Sequence, residues 1–160
     1  YKTDVTVYQA IYKDTSALDL RFLGWNTGPE WISGKSRKAV QVFGKRIELG
    51  NESYMRSIGL RALMDYSFTP QFMVRTGVDI EARYYPDNRP MNAENAGVFT
   101  DAQLAADKWV FGAGLRLERE DARDNEYCFR RVGASLTASR PLLFDINTSL
   151  AYRFRLTQYD

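Results

Sequence analysis

The residues best placed to do chemistry in this chain are two groups of carboxylates, Asp79 with Glu81 and Glu118 with Glu120 and Asp121. A general acid and a general base need carboxyls whose environments drive their proton affinities apart, next to a group worth activating. Here Arg83, Arg116 and Arg119 interleave with the acids and no nucleophile stands nearby, so ion pairing is the simpler reading. The chain has no histidine and a single cysteine, Cys128. An internal disulfide is therefore impossible, and a zinc site would have to rest on carboxylates and one thiol. Gly112-Ala113-Gly114 opens like a dinucleotide loop, but no third glycine completes the fingerprint and the segment continues as a strand. Asn147-Thr148-Ser149 has the form of a glycosylation acceptor and lies inside a regular strand pattern. The expectation is a protein that is not an enzyme, with no cofactor and no metal.

The elements that must hold these charges are strands. Over residues 71–85, Phe72, Val74, Thr76, Val78, Ile80, Ala82 and Tyr84 alternate with Arg75, Gly77, Asp79, Glu81 and Arg83, a period of two that no helix produces. Residues 143–158 repeat it, with Phe144, Ile146, Thr148, Leu150, Tyr152, Phe154 and Leu156 against Asp145, Asn147, Ser149, Arg153 and Arg155. The same sorting places Ile58, Leu60, Ala62, Met64 and Tyr66 opposite Ser57, Gly59, Arg61 and Asp65 over 53–67. It sets Trp109, Phe111, Ala113, Leu115 and Leu117 opposite Gly112, Gly114, Arg116, Glu118 and Glu120 over 108–120. Residues 126–140 follow, with Leu136 on one face and Arg131 on the other. Weaker patterns at 3–13, 16–33, 37–48 and 95–105 bring the expectation to about nine strands, although AENAGVFTDAQLAAD also reads as a short surface helix.

Tight turns fit at Gly34-Lys35-Ser36, Thr69-Pro70-Gln71, Ala106-Asp107-Lys108 and Arg140-Pro141-Leu142. Longer polar links are expected at Leu49-Gly50-Asn51-Glu52, Tyr85 to Glu94 and Asp121 to Asn125. Short turns at one end and longer loops at the other describe an up-and-down outer-membrane barrel.

Composition narrows the setting. Hydrophobic residues make up 44% of the 160 and charged residues 26%, yet no run approaches the ~20 apolar residues of a membrane helix. Twenty-two basic against 20 acidic residues leave a net charge of +2, without the basic footprint of a nucleic-acid binder. A soluble sandwich or ligand-binding barrel would bury the apolar face, whereas a membrane barrel turns it to lipid. Tyrosines and tryptophans near strand ends and small residues on the polar face favour the second. An arginine facing lipid at mid-depth costs about 2–4 kcal/mol, so the charged face must line the lumen. The expected lumen residues are Arg61, Asp65, Arg75, Asp79, Glu81, Arg83, Arg116, Glu118, Glu120, Arg131, Arg153 and Arg155. The expected lipid-facing ones are Ile58, Leu60, Met64, Phe72, Val74, Val78, Ile80, Trp109, Phe111, Leu115, Leu136, Ile146, Leu150 and Phe154.

Several segments resemble the barrel of the surface lipoprotein assembly modifier (Slam) family: Thr27-Gly28-Pro29-Glu30-Trp31, the hairpin SIGLRALMDYSFTPQFMVRTGVDIEARYY, the stretch FGAGLRLEREDARDNEY, and Arg130 to Leu136 leading to Arg140-Pro141. The resemblance implies an all-β, antiparallel up-and-down transmembrane barrel of about fourteen strands in the bacterial outer membrane. Residues 1–160 would be part of it, with a periplasmic helical-repeat domain upstream and closing strands beyond. Its partners would be a client surface lipoprotein, or a related secreted protein, and the outer-membrane lipids, which it would help the client cross or join. A passive porin and an autotransporter translocator share the barrel and stay open at this point.

Overall fold

The computed structural model describes residues 1–11, 19–141 and 147–159, most of them strand. Ten antiparallel strands form one sheet: β1 (Lys2–Ala10), β2 (Leu20–Gly28), β3 (Glu30–Ser33), β4 (Ser36–Leu49), β5 (Glu52–Ser67), β6 (Phe72–Tyr84), β7 (Ala93–Ala106), β8 (Trp109–Ala122), β9 (Phe129–Pro141) and β10 (Asn147–Tyr159). Each strand pairs with its neighbour in sequence, except that β2 passes directly to β4 while β3 pairs with β4 farther along, and β1 and β10 are the two edges. This is the up-and-down order expected. Residues 95–105 are strand, within β7, and pair on both sides.

Two expectations change. The strand expected over 16–33 is two, because Pro29 has no N–H to give the ladder and breaks it between β2 and β3. Ten strands result in place of about nine. The link Leu49 to Glu52 is a two-residue hairpin in which Gly50 and Asn51 both take positive φ, 56° and 71°, the conformation whose twist matches the flanking strands. Polarity marked this segment as a loop, but its backbone geometry makes it tight.

Ile146 lies outside the described residues, as do 12–13, 16–18 and 143–146 of the expected strands and Leu142 of the expected turn. The turns at Gly34-Lys35, 68–71 and 107–108 stand at one end of the sheet, with β9 and β10 closing there as well. The other end carries the hairpin at Gly50-Asn51 and the segments 85–92 and 123–128, each containing a 3-10 turn. Those two segments are tied together, Arg123 N–H donating to the Asn92 carbonyl at 2.8 Å and Asp124 N–H to that of Pro90 at 3.1 Å.

Candidate functional site: a charged face and an apolar face

Strand pairing sorts the side chains into two faces. Asp65 opposes Arg75, Asp79 opposes Gly97, which opposes Glu118, and Glu118 opposes Arg131. Carried through the register, Arg61, Asp65, Arg75, Asp79, Glu81, Arg83, Arg116, Glu118, Glu120, Arg131, Arg153 and Arg155 all share one face. Ile58, Leu60, Met64, Phe72, Val74, Val78, Ile80, Trp109, Phe111, Leu115, Leu136, Leu150 and Phe154 share the other.

Burial is inverted relative to a domain that folds around an oily core. Asp79 is 2% exposed, while Leu115 is 58% exposed. Asp65, Glu81, Asn95 and Glu120 are buried with Asp79, and Ile58, Ile80 and Leu136 are open with Leu115. A flat single sheet would expose both faces alike, so the sheet curls toward its charged side.

The curl is held by ion pairs arranged as three rails. At the tight-turn end Asp65 takes two bonds from Arg75, at 2.7 and 2.9 Å, and faces Arg37, which also holds Glu30 at 2.8 Å. Across the middle, Asp79 accepts from Arg116 at 2.8 and 3.1 Å and faces Arg61 at 3.7 Å. Arg116 reaches Glu118 at 2.8 Å, Glu118 accepts from Arg131 at 2.7 Å, and Arg131 donates to the Thr157 hydroxyl at 3.0 Å. Near the loop end Glu81 accepts from Lys45 at 2.9 Å and from the Ser57 hydroxyl at 2.5 Å. Arg83 bridges Glu81 and Glu120, and the Asn95 amide donates to Glu120 at 3.3 Å.

Several of these pairs skip a strand and so span two inter-strand spacings, roughly 9.5 Å on a flat sheet. Asp79 and Arg116 stand on either side of β7, as do Arg83 and Glu120, and Lys45 and Glu81 stand on either side of β5. The strand between must present something small or complementary. Beneath the Asp79–Arg116 pair it presents Gly97, where a Cβ would sit 2.8 Å from Arg116 Nη2 and 3.1 Å from Asp79 Oδ1. Beneath Lys45–Glu81 it presents Ser57, and beneath Arg83–Glu120 it presents Asn95. Aromatic rings fill the remaining space: the Arg61 guanidinium lies 4.9 Å from the Phe43 ring centre and Arg131 lies 4.1 Å from that of Phe129.

Ser57 lies on the face that alternation assigns it, and Arg37, Phe43, Lys45, Asn95 and Thr157 join the network without having been marked by the sequence. Alternation within β4 (Gln41, Phe43, Lys45) carried the signal, diluted by Lys38 and Arg46 on the opposite parity. Arg153 and Arg155 share the face but are exposed, opposite Ser135 and Gly133, and meet no ion-pair partner among the described residues. At the loop end the buried Tyr85 ring meets Tyr54 edge-on at 5.6 Å. Burial, and then the negative charge of Glu120, push the Tyr85 hydroxyl above the ordinary tyrosine value.

The apolar face has defined borders. On β9 its outward residues run from Arg130 through Val132, Ala134, Leu136 and Ala138 to Arg140. At a rise of ~3.3 Å per residue and a tilt of ~40°, that stretch stands ~25 Å tall, the height of the apolar band of a transmembrane barrel. The borders step along the strands as a tilted sheet requires. Followed through the register, Arg56 falls past the end of β8 while Arg119 lies within it, and the same stagger separates Tyr66 from Trp109 at the other border. Rings gather at that second border, Tyr66 4.8 Å from Phe68, Phe68 5.4 Å from Phe72, and Trp109 beneath the Arg140 guanidinium at 5.5 Å. Among the described residues no group of His, Cys, Asp and Glu is arranged to hold a metal ion.

Compared with known proteins, the chain matches the family model described as "Surface lipoprotein assembly modifier" over residues 1–160. No curated protein and no solved structure gives a significant match.

Proposed function

This chain belongs to the surface lipoprotein assembly modifier family, and from that premise we propose that it forms the wall of an outer-membrane β-barrel that carries surface lipoproteins, or related secreted clients, to the cell exterior. The observation that carries the reading is the inverted burial: carboxylates as closed as Asp79 on one face and leucines as open as Leu115 on the other. Water on the apolar side would leave large side chains such as Ile58, Ile80, Leu115, Leu136 and Phe154 exposed without return, whereas hydrocarbon makes that face the stable one. The charged face then lines a wet lumen in which the three rails are satisfied.

In this reading the protein does its work without covalent chemistry, cofactor or metal. The rails set the shape of the wall, and the exposed guanidinium groups of Arg153 and Arg155 are the lumen charges open to a client. A passive porin is the competing use of such a wall. Side chains bridging β4 to β6 and β6 to β8 on the lumen face favour a shaped conduit over an open aqueous pore.

The test is surface exposure of a candidate lipoprotein in cells carrying or lacking the intact protein, with total lipoprotein measured in both. Exposure that depends on the protein at constant total level is the expected result. Unchanged exposure for every candidate, together with ion conductance by the purified protein, would replace this reading with the porin.

A further inference from the structure

Two glycines on the charged face have charged side chains on the strands either side of them, and only one of the two is covered. Above Gly97, Asp79 of β6 and Arg116 of β8 close as an ion pair, within 3.1 Å of where a Cβ would stand. Gly133 on β9 lies directly opposite Arg116 on β8 and Arg155 on β10, a cation on each side. A Cβ there would meet backbone alone, the Arg116 and Phe154 carbonyl oxygens at 3.9 Å. Arg116 turns away to Asp79 and Glu118, and Arg155 stays exposed. The space above Gly133 belongs to a recess of about 650 Å³ that Arg61, Arg131, Ser135 and Arg153 also border. Its charges do not balance. Arg61 and Arg116 share Asp79, and Arg116 and Arg131 share Glu118. The other acid on the recess, Asp101, stands directly opposite Arg75 and three strands from Arg153 along one row, through Gly114 and Ser135. Counting Asp101 in full still leaves the five guanidinium groups two carboxylates short. Among the described residues Arg153 and Arg155 meet no acid.

We propose that this recess seats an acidic stretch of the client polypeptide, one carboxylate against Arg155 above Gly133 and the next against Arg153 above Ser135. Guanidinium groups take carboxylates through paired N–H bonds. Arg153 and Arg155 lie two residues apart on one face of β10, roughly 6.6 Å, which is also the spacing of side chains i and i+2 in an extended chain. The bare backbone of Gly114 and Gly133 and the Ser135 hydroxyl let such a chain lie close to the wall. Exposed charge pairs are weak singly, which suits a seat that a client must leave. The recess faces away from the apolar side, so the partner it fits is a polypeptide in the lumen and not a lipid headgroup. The inference rests on the conduit reading given above and names the chemistry of the client segment.

The experiment measures, by fluorescence anisotropy, binding of a labelled peptide of alternating glutamate and serine to the intact protein in zwitterionic micelles, beside the same peptide with glutamine for glutamate. The glutamate peptide should bind and the glutamine peptide should not. Arg153→Gln/Arg155→Gln should weaken the glutamate peptide roughly three- to tenfold, the effect of losing two exposed charge pairs, and leave the urea midpoint where it was. Gly133→Val keeps every charge and fills the space above the backbone, and it should weaken binding by a similar factor. Arg155→Gln alone provides the comparison if the double variant folds poorly. Equal affinity in wild type and double variant, or for the two peptides, would overturn the seat and leave the conduit reading standing. Weakening in the arginine variant with none in Gly133→Val would mean a diffuse lumen field and also overturn it. A midpoint that falls while binding holds would make the two arginines supports of the wall, and displacement of the peptide by equimolar inorganic phosphate would make the recess a general anion site; either result overturns the proposal. Lipoprotein exposure that does not depend on the protein would remove the conduit reading and the client together.

Discussion

Asp79 on β6 and Arg116 on β8 join through two hydrogen bonds, 2.8 and 3.1 Å, directly above Gly97 of the strand between them. The pair needs that position bare. Gly97→Val should cost about 1–3 kcal/mol, the usual range for overpacking, and Gly97→Ala less. Urea unfolding of the reconstituted protein measures it, and an unchanged midpoint for the valine variant would mean that the pair has slack.

Removing the carboxylate should be worse than crowding it. Asp79→Ala leaves Arg116 and Arg61 facing each other, and loss of one partner from a buried pair costs about 3–5 kcal/mol. Arg116 is partly open to solvent, which puts the expectation at the lower end. A cycle with Arg116→Gln should return a coupling of about 1–2 kcal/mol. Strictly additive losses would show that the two residues do not depend on each other.

The apolar face answers a question about its surroundings. Val98 points outward near the middle of the band and is 47% exposed, so in water Val98→Arg would be close to neutral. In lipid the same change should cost about 2–4 kcal/mol. Thr137→Arg, on the charged face between Gly112 and Ala151, should be tolerated. Equal behaviour of the two variants in vesicles would argue against hydrocarbon on that side.

The hairpin after β4 is fixed by its backbone. Gly50 has φ of 56°, a region in which a Cβ is costly. Gly50→Val should destabilise by about 1–2 kcal/mol, whereas Asn51→Gly should be neutral or slightly favourable. Relative refolding yields into vesicles, measured alongside the unfolding midpoints, rank the two.

Tyr85 gives a pH dependence at the loop end. Its hydroxyl is raised above the ordinary value of about 10. Above that value the unfolded chain releases the proton before the folded one does. The contribution of Tyr85 to stability is therefore complete below pH about 10 and lost as pH climbs through its higher folded value. The gap between wild type and Tyr85→Phe should shift against wild type in that alkaline window and stay constant below it. A gap that does not move with pH would show that the hydroxyl is solvated.

Period-two sorting made the fold legible. Phe72 to Tyr84 could be assigned to faces one by one because adjacent side chains must point opposite ways. The family, too, was legible from the order of its segments, and the model match over residues 1–160 agrees. Two backbone matters were hidden: the break at Pro29, where one missing N–H outweighs the apolar pattern on both sides, and the turn at Gly50-Asn51, whose tightness lies in φ. The ion-pair rails were half visible. Asp79, Arg116, Glu118 and Arg131 stood out as charges on one parity. That Lys45 would reach Glu81, or that Asn95 would lie under Arg83 and Glu120, follows from which strands become neighbours two places away, and single-strand periodicity carries no such information.

The strand-skipping pairs work as diagonal struts. A ladder of hydrogen bonds lets neighbouring strands hinge about their shared axis. A strut from β4 to β6, or from β6 to β8, triangulates that hinge and locks the angle across three strands. The stretch from β4 to β8 therefore bends as a single stiff plate. Among the described residues no such strut reaches β1, β2 or β10, so any load on the wall deflects those margins first.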